Sequence, residues 1–402
     1  MSYSQFYRVI VEGNKRDITD KISSIYFEDS VDDLDVFTMK CSGLSLDDLD
    51  NIFVNGVILN VIFGYLGGSQ SKKRTCKISN VNVTYGGIIT ANVVCLDLGI
   101  VLAKTKITKI WQGQSIKDIC TKVAKDSGMS ISFANDTNAS INKKIDLITQ
   151  TNQDNLSFVR GIIKEFADWK LTPITKDDKI IVKEKALSSP SIKTFNWNNG
   201  DGQVISFTPN EKDTSKSESS SETVANGYDL SNNESIEKST TPQNNKEKKL
   251  NDFSNNYDVN ANLNSRTRNI PTEVKDSVYV PNTDATEVDN KSKYTQTESS
   301  LDDITANLVI NGDPNIMADV IITMKNVSKK HSGNWYVSKA KHSIDASYIT
   351  TLELKRNATG TAQSGDSTKN EDVNKTVGAD KTDKKIKIQK KYNYDTQGFD
   401  KL

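Results

Sequence analysis

Through the first hundred residues apolar and polar positions alternate in short runs, the period of a strand with one buried face. Residues 7–11, 22–27 and 36–41 are such runs, divided by polar turns like Glu12-Gly13-Asn14. Alternation continues through 55–66, 73–78, 81–85 and 88–95. Tyr85-Gly86-Gly87-Ile88 reads as a hairpin turn, because adjacent glycines accept positive φ at little steric cost. Many short strands with glycine punctuation, and one short helix over 46–51, predict a small barrel or sandwich.

The period changes near Lys106. Ile116, Ile119, Cys120, Val123 and Ala124 recur at helical spacing behind Ser115, a good N-cap, and Gly128 ends the helix before a strand over 131–133. A second helix, capped by Asp154 or Asn155, sets Leu156, Val159, Ile162, Ile163 and Phe166 on one face. The stretch 169–173, the turn Lys176-Asp177-Asp178 and a strand over 179–183 complete an α+β module spanning 106–190.

Strand patterns return at 192–197, 203–208, 307–314, 319–324, 333–337 and 347–355, the last setting Tyr348, Thr350, Leu352 and Leu354 on one face. Between them, 210–299 is dominated by Ser, Asn, Thr, Lys, Glu and Asp. Such a stretch buries too little apolar surface to offset its ordering entropy, so it reads as a flexible insertion or arm. Residues 358–402 read as a low-complexity tail whose basic segment, 384–391, suits solvation, an acidic neighbour, or a strand added to a partner's sheet edge.

Composition narrows the function classes. Lysine plus arginine equals aspartate plus glutamate, 52 of each, so no global charge points to nucleic acid or an anionic membrane. Cys41, Cys76, Cys95 and Cys120 lie far apart among apolar neighbours, without a CxxC pair, and read as buried small hydrophobes in a reducing compartment. No window approaches the ~18 apolar residues of a membrane span, and residues 1–11 lack a signal design, which implies synthesis in a cytoplasm. His331 reads as a solvated turn residue, and His342 as a structural histidine between two strands, bridging loop backbone groups. The acids Asp29, Asp32, Asp33 and Asp35, and again Asp47, Asp48 and Asp50, read as solvated loop edges or assembly contacts. Gly64-Tyr65-Leu66-Gly67-Gly68 lacks the lysine and hydroxyl of a phosphate loop and reads as a turn. No catalytic residue, metal or cofactor is expected; Tyr65, Trp197 and Trp335 are core or contact aromatics.

Two resemblances bear on function. Trp111, Gly113, Ser115, Ile116 and Ile119 open the middle module in a way that resembles a LysM-type peptidoglycan-binding module, which implies a wall-binding protein or a hub associated with wall hydrolysis. The order of modules, closed by Gly333, Trp335, Tyr336, Val337, His342, Thr350, Leu352 and Leu354, is similar to the late control gene D family, baseplate hubs of contractile tails related to the N-terminal part of VgrG spikes.

The second resemblance implies a mainly β fold with an inserted α+β module. Two tube-like antiparallel β-barrel domains are expected, at 1–105 and at 191–209 plus 300–357. It further implies a homotrimer with six similar domains around a channel, joining the tail tube protein to a separate central spike, with a wedge or tape-measure protein as further neighbour. The particle would be a phage tail or a phage-tail-like bacteriocin assembled in a bacterial host.

Overall fold

The structure is a computed structural model that describes residues 4–104, 106–134, 139–167, 170–198, 202–211, 222–229, 232–240, 275–280, 285–301, 304–328, 331–356, 390–393 and 398–401. Alternating runs in the first of these segments form β1 (Gln5–Val11), β2 (Ile22–Ser30), β3 (Val36–Ser42), β4 (Ile58–Tyr65), β5 (Arg74–Thr84) and β6 (Thr90–Leu96). They pair in the order β1-β4-β5-β6-β3-β2. Their inward residues make one core, with Phe27 stacked on Phe37 at 4.1 Å between ring centroids and tilted against Phe63. Helix α1 (Leu46–Asn51) starts from a reciprocal cap: Ser45 Oγ accepts from the Asp48 N–H, and the Asp48 carboxylate accepts from the Ser45 N–H.

The chain then enters the α+β module through α2 (Ile100–Lys104). Strand β7 (Lys106–Ser115) pairs antiparallel with β9 (Lys144–Asp154), a long ribbon that sequence periodicity does not reveal. Helix α3 (Ile116–Asp126) buries the five residues assigned to its face, and Gly128, at φ +74°, follows its end. Strand β8 (Ser130–Phe133), the short α4 (Ala139–Asn142), α5 (Asn155–Ile162) capped by Asp154, β10 (Leu171–Lys176) and β11 (Lys179–Glu184) complete the module. Its sheet runs β10-β11-β8, and its core is separate from that of the first sheet.

A second large sheet follows, built from β12 (Ser191–Asn196), β13 (Val204–Glu211) and four later strands. Between these groups, part of the stretch 210–299, read from the sequence as a flexible insertion or arm, forms regular elements. Strands β14 (Glu222–Asp229), β15 (Glu234–Thr240) and β16 (Lys275–Val280) form a sheet, packed by helix α6 (Ala285–Leu301). Small and hydroxylated residues make that packing feasible: Ala225, Thr223, Thr240 and Ser292 are buried with Val288. Ser292 Oγ lies 2.6 Å from Thr240 Oγ1 and donates to the Thr223 carbonyl, so hydrogen bonds replace much of the missing apolar surface.

The four later strands are β17 (Ile304–Asn311), β18 (Val320–Lys325), β19 (Gly333–Ile344) and β20 (Tyr348–Arg356). Their order with the earlier pair is β12-β18-β19-β20-β17-β13, so the first to sixth strands of each half occupy the same places in its sheet. The registers repeat as well. Ile78 faces Cys95 in the first half and Val337 faces Leu354 in the second; beyond a one-residue bulge, Asn80 faces Val94 and Lys339 faces Glu353. The opening of β2 and that of β13 carry matching bulges, between Ile22 and Ser24 and between Val204 and Ser206. The halves differ at their first strand: β1 runs antiparallel to β4, whereas β12 runs parallel to β18.

Strand β2 pairs with β19, and the halves become one twelve-stranded sheet. The fold is mainly β with an inserted α+β module, as the sequence reading expected. The chain divides into two bodies, Met1–Ala362 and Gln363–Leu402. In the second, Lys390–Asn393 and Gly398–Lys401 form an antiparallel hairpin; the alternation at 384–389 lies outside the described residues.

Candidate functional site

Strand β19 serves both halves along its length. Gly333–Val337 pairs with β18; past the bulge at Ser338, Lys339 faces Ser30 of β2 and the pairing runs to Ile344 against Ile25. The bulge re-aims the strand, so that one element closes its own sheet and then the neighbouring one. On the outer face of the joint, Lys339 Nζ lies 2.8 Å from Glu28 Oε1, and Lys341 Nζ lies 2.5 Å from Glu353 Oε1.

The residues of the closing motif line the two sides of this strand pair. Trp335 and Val337 enter the second core with Leu352 and Leu354. The Trp335 indole N–H donates to the His331 carbonyl at 2.9 Å, and the Arg356 guanidinium stands 5.0 Å from its ring centre. Tyr336 points the other way and donates to Asp319 Oδ1 at 2.9 Å. His331 sits at a turn as expected, with Nδ1 2.8 Å from Ser328 Oγ.

His342 differs from the expectation in its place: it lies within β19, not between strands, and side chains join the loop backbone at Ile316 as its partners. Its Nδ1 is 2.9 Å from the Tyr348 hydroxyl and 3.2 Å from Thr350 Oγ1, and its ring packs against Phe27 and Phe63. Burial, against the opposing pull of the Asp29 charge, lowers its pKa to about 4, so the imidazole is neutral near neutrality.

The acids of the first half divide. Asp32 and Asp33 are exposed, as read, but Asp29 and Asp35 are buried, which overturns the solvated-edge reading for that pair. Both meet Lys176, at the end of β10 in the α+β module. Its ammonium contacts Asp29, donates to Asp35 Oδ1 at 2.8 Å and to the Ser30 carbonyl at 3.0 Å. The second Asp29 oxygen accepts from the Ala318 N–H at 2.6 Å, so one carboxylate ties both halves and the module together.

Burial pushes the Asp29 carboxyl up, but the Lys176 and Arg74 charges outweigh it and hold the group below the ordinary range. Burial, then the Asp29 charge beside it, pushes Asp35 well above that range. Asp48 is likewise buried, where its cap and Arg16 Nη2, 3.0 Å away, satisfy it. These carboxylates are fastened inside the fold and present no surface to a substrate.

The LysM-like positions are structural too. Trp111 is buried and stacks on Phe158, Ser115 caps α3, and Ile116 and Ile119 face the module core, so the tryptophan offers no open ring to a glycan. Gly113 takes φ +61° within β7. Among the other aromatics, Trp335 is core, Tyr65 is half-buried and donates to the Gly312 carbonyl at 2.9 Å, and Trp197 is exposed. All four cysteines are free and buried. Among the described residues, no helix is long and apolar enough to cross a membrane.

Among the described strands of the large sheet that pair on one side only, β1 and β12 included, two edges bear on the joint. Beyond its bulge, β5 pairs with β6 on one side only, and β13 pairs with β17 on one side only. The turn after β5 carries Tyr85 and Ile88, 69% and 67% exposed.

No protein-family model matches the sequence, and no curated protein matches it. Solved structures do share its fold. A tail protein from Neisseria meningitidis MC58 superposes with a TM-score of 0.63 at 13% identity, over 88% of this chain and 97% of that one. The 43 kDa tail protein of prophage MuSo2 from Shewanella oneidensis also gives 0.63, at 11% identity, over 87% and 98%. An Escherichia coli component of the type VI secretion system, itself described as similar to bacteriophage T4 tail proteins, gives 0.51 at 8% identity, over 87% and 76%. The resemblance read from the order of modules is therefore present in three dimensions: this chain has the fold found in phage tail proteins and in type VI secretion structures.

Proposed function

We propose that the chain is a non-catalytic structural subunit of a contractile-tail baseplate, a hub of three copies whose six like sheets surround a channel. The observation that carries this reading is the internal repeat. Strand order, bulges and registers recur between two sheets of one chain, and the sheets are joined edge to edge. Three such chains match a sixfold tube on one side and a threefold spike on the other. The partners are then the tail tube protein and a separate central spike, with a wedge or tape-measure protein as a further neighbour. The particle is a phage tail or a headless, tail-like bacteriocin assembled in a bacterial host.

The test is the copy number of this chain in purified particles, read by quantitative mass spectrometry and electron cryomicroscopy. Three copies in a ring between tube and spike are expected; one copy, or six, overturns the reading.

A further inference from the structure

The joint inside the chain specifies the joint between chains. We propose that residues 80–85 of one copy pair with β13 of the next, as residues 339–344 of β19 pair with β2 within one copy. This rests on the hub reading and names the contact that closes its ring.

The argument comes from equivalent positions. The β5–β6 hairpin and the β19–β20 hairpin keep one constant offset through their ladders, with Ser79 and Ser338 as the bulged residues. Asn80, Asn82 and Thr84 therefore stand where Lys339, Lys341 and Ser343 stand. In the same way β13 stands where β2 stands, Thr208 in the place of Tyr26 and Asn210 in that of Glu28, because Ser206 and Ser24 both follow the opening bulge. Within the chain, the edge of β19 beyond its bulge is filled by β2. The equivalent edge of β5 is empty among the described residues, and so is the equivalent edge of β13.

Exposure follows the same pattern. Ala340, His342 and Ile344 are fully buried, whereas Val81 and Val83, their counterparts, are half-open, and Tyr85 in the place of Ile344 is exposed. An edge and its complement at different places on one surface make a head-to-tail contact, which closes into a ring when the rotation permits. A second copy is the occupant because the chain itself carries both halves of the contact.

Pro209 occupies the place of Phe27 and lacks an N–H. The Val31 N–H donates to the Ser338 carbonyl across the joint, which sets the alternation and aims the Phe27 backbone at β19. One ladder bond is thus missing from the proposed contact, while the Pro209 carbonyl still accepts. A proline on an open edge also discourages indiscriminate strand pairing before assembly.

Cysteine pairs read the register in assembled particles. T84C/T208C and N82C/N210C place thiols at positions that would face each other across the contact, and Y26C/S343C is the same geometry inside the chain. The native cysteines are buried and leave the background clean. Mild oxidation is expected to give a covalent trimer with either of the first two pairs, none with the single variants, and an internal crosslink with the third. A ring of three copies in which only the internal pair closes overturns this contact and leaves the hub reading standing. Particles that hold single copies, with no crosslink between chains, overturn both.

Discussion

His342 shows how a polar residue is kept inside a sheet. Phe27 and Phe63 exclude water, while Tyr348 and Thr350 supply hydroxyls at Nδ1. The ring is neutral in the fold, with its pKa lowered to about 4, whereas the unfolded chain takes up the proton near pH 6.5. Between those values the unfolded state binds more protons, so stability falls as the pH drops through this window and is unaffected by this group above it. The loss at pH 4 is on the order of 3 kcal/mol. Denaturant midpoints of wild type and H342Q at pH 7 and pH 4.5 should differ accordingly: the variant is less stable at pH 7 but loses less on acidification.

This environment was only partly legible in the sequence. The motif around Trp335 and the alternation of β20 were readable, because neighbouring residues carry the period. His342 was placed in a connection because Ser338 breaks that period, and a bulge leaves no local signature.

Among the elements, β10 has a role beyond its own sheet. Its last residue, Lys176, places one ammonium between Asp29 and Asp35, and the Ala318 N–H reaches the same Asp29. Breaking a buried pair by removing one partner leaves an uncompensated charge. K176M is therefore expected to cost about 3–5 kcal/mol. D35N removes a carboxyl that burial and Asp29 already disfavour as an anion, and should cost about 1 kcal/mol or less. Urea titrations of the two variants test the contrast, and equal losses would refute it.

No reading of residues 29–35 alone shows this arrangement, since the balancing charge comes from a distant element. Helix α3 lies at the other extreme. Its cap, its buried face and the glycine after it are all local, and the sequence reading matches the structure at each. The ordered part of 222–301 was missed because its interior uses alanine, serine and threonine, which carry no hydrophobic period.

At the scale of the molecule, the β14–α6 unit is inserted into a hairpin. Glu211 and Ile304 face each other across the β13–β17 ladder, so the chain leaves and returns at neighbouring points. Replacing 214–302 by a short turn should preserve both large sheets. The main loss is Leu301, which is buried with Ile174, Ile321 and Tyr336, about 2 kcal/mol by the usual cost of burying such a side chain. Circular dichroism and thermal melting of the shortened chain test this; loss of cooperative unfolding would show that the insertion is integral to the sheets.

The repeat has a kinetic consequence. Two sheets carried on one polypeptide meet at a high effective concentration, so half of the seams in the proposed ring form without any encounter between molecules. An ancestor with one sheet per chain would need six arrivals to build the same annulus, whereas this chain needs three. Covalent linkage also leaves the two halves free to differ, as they do in the opposite directions of β1 and β12 against their neighbours.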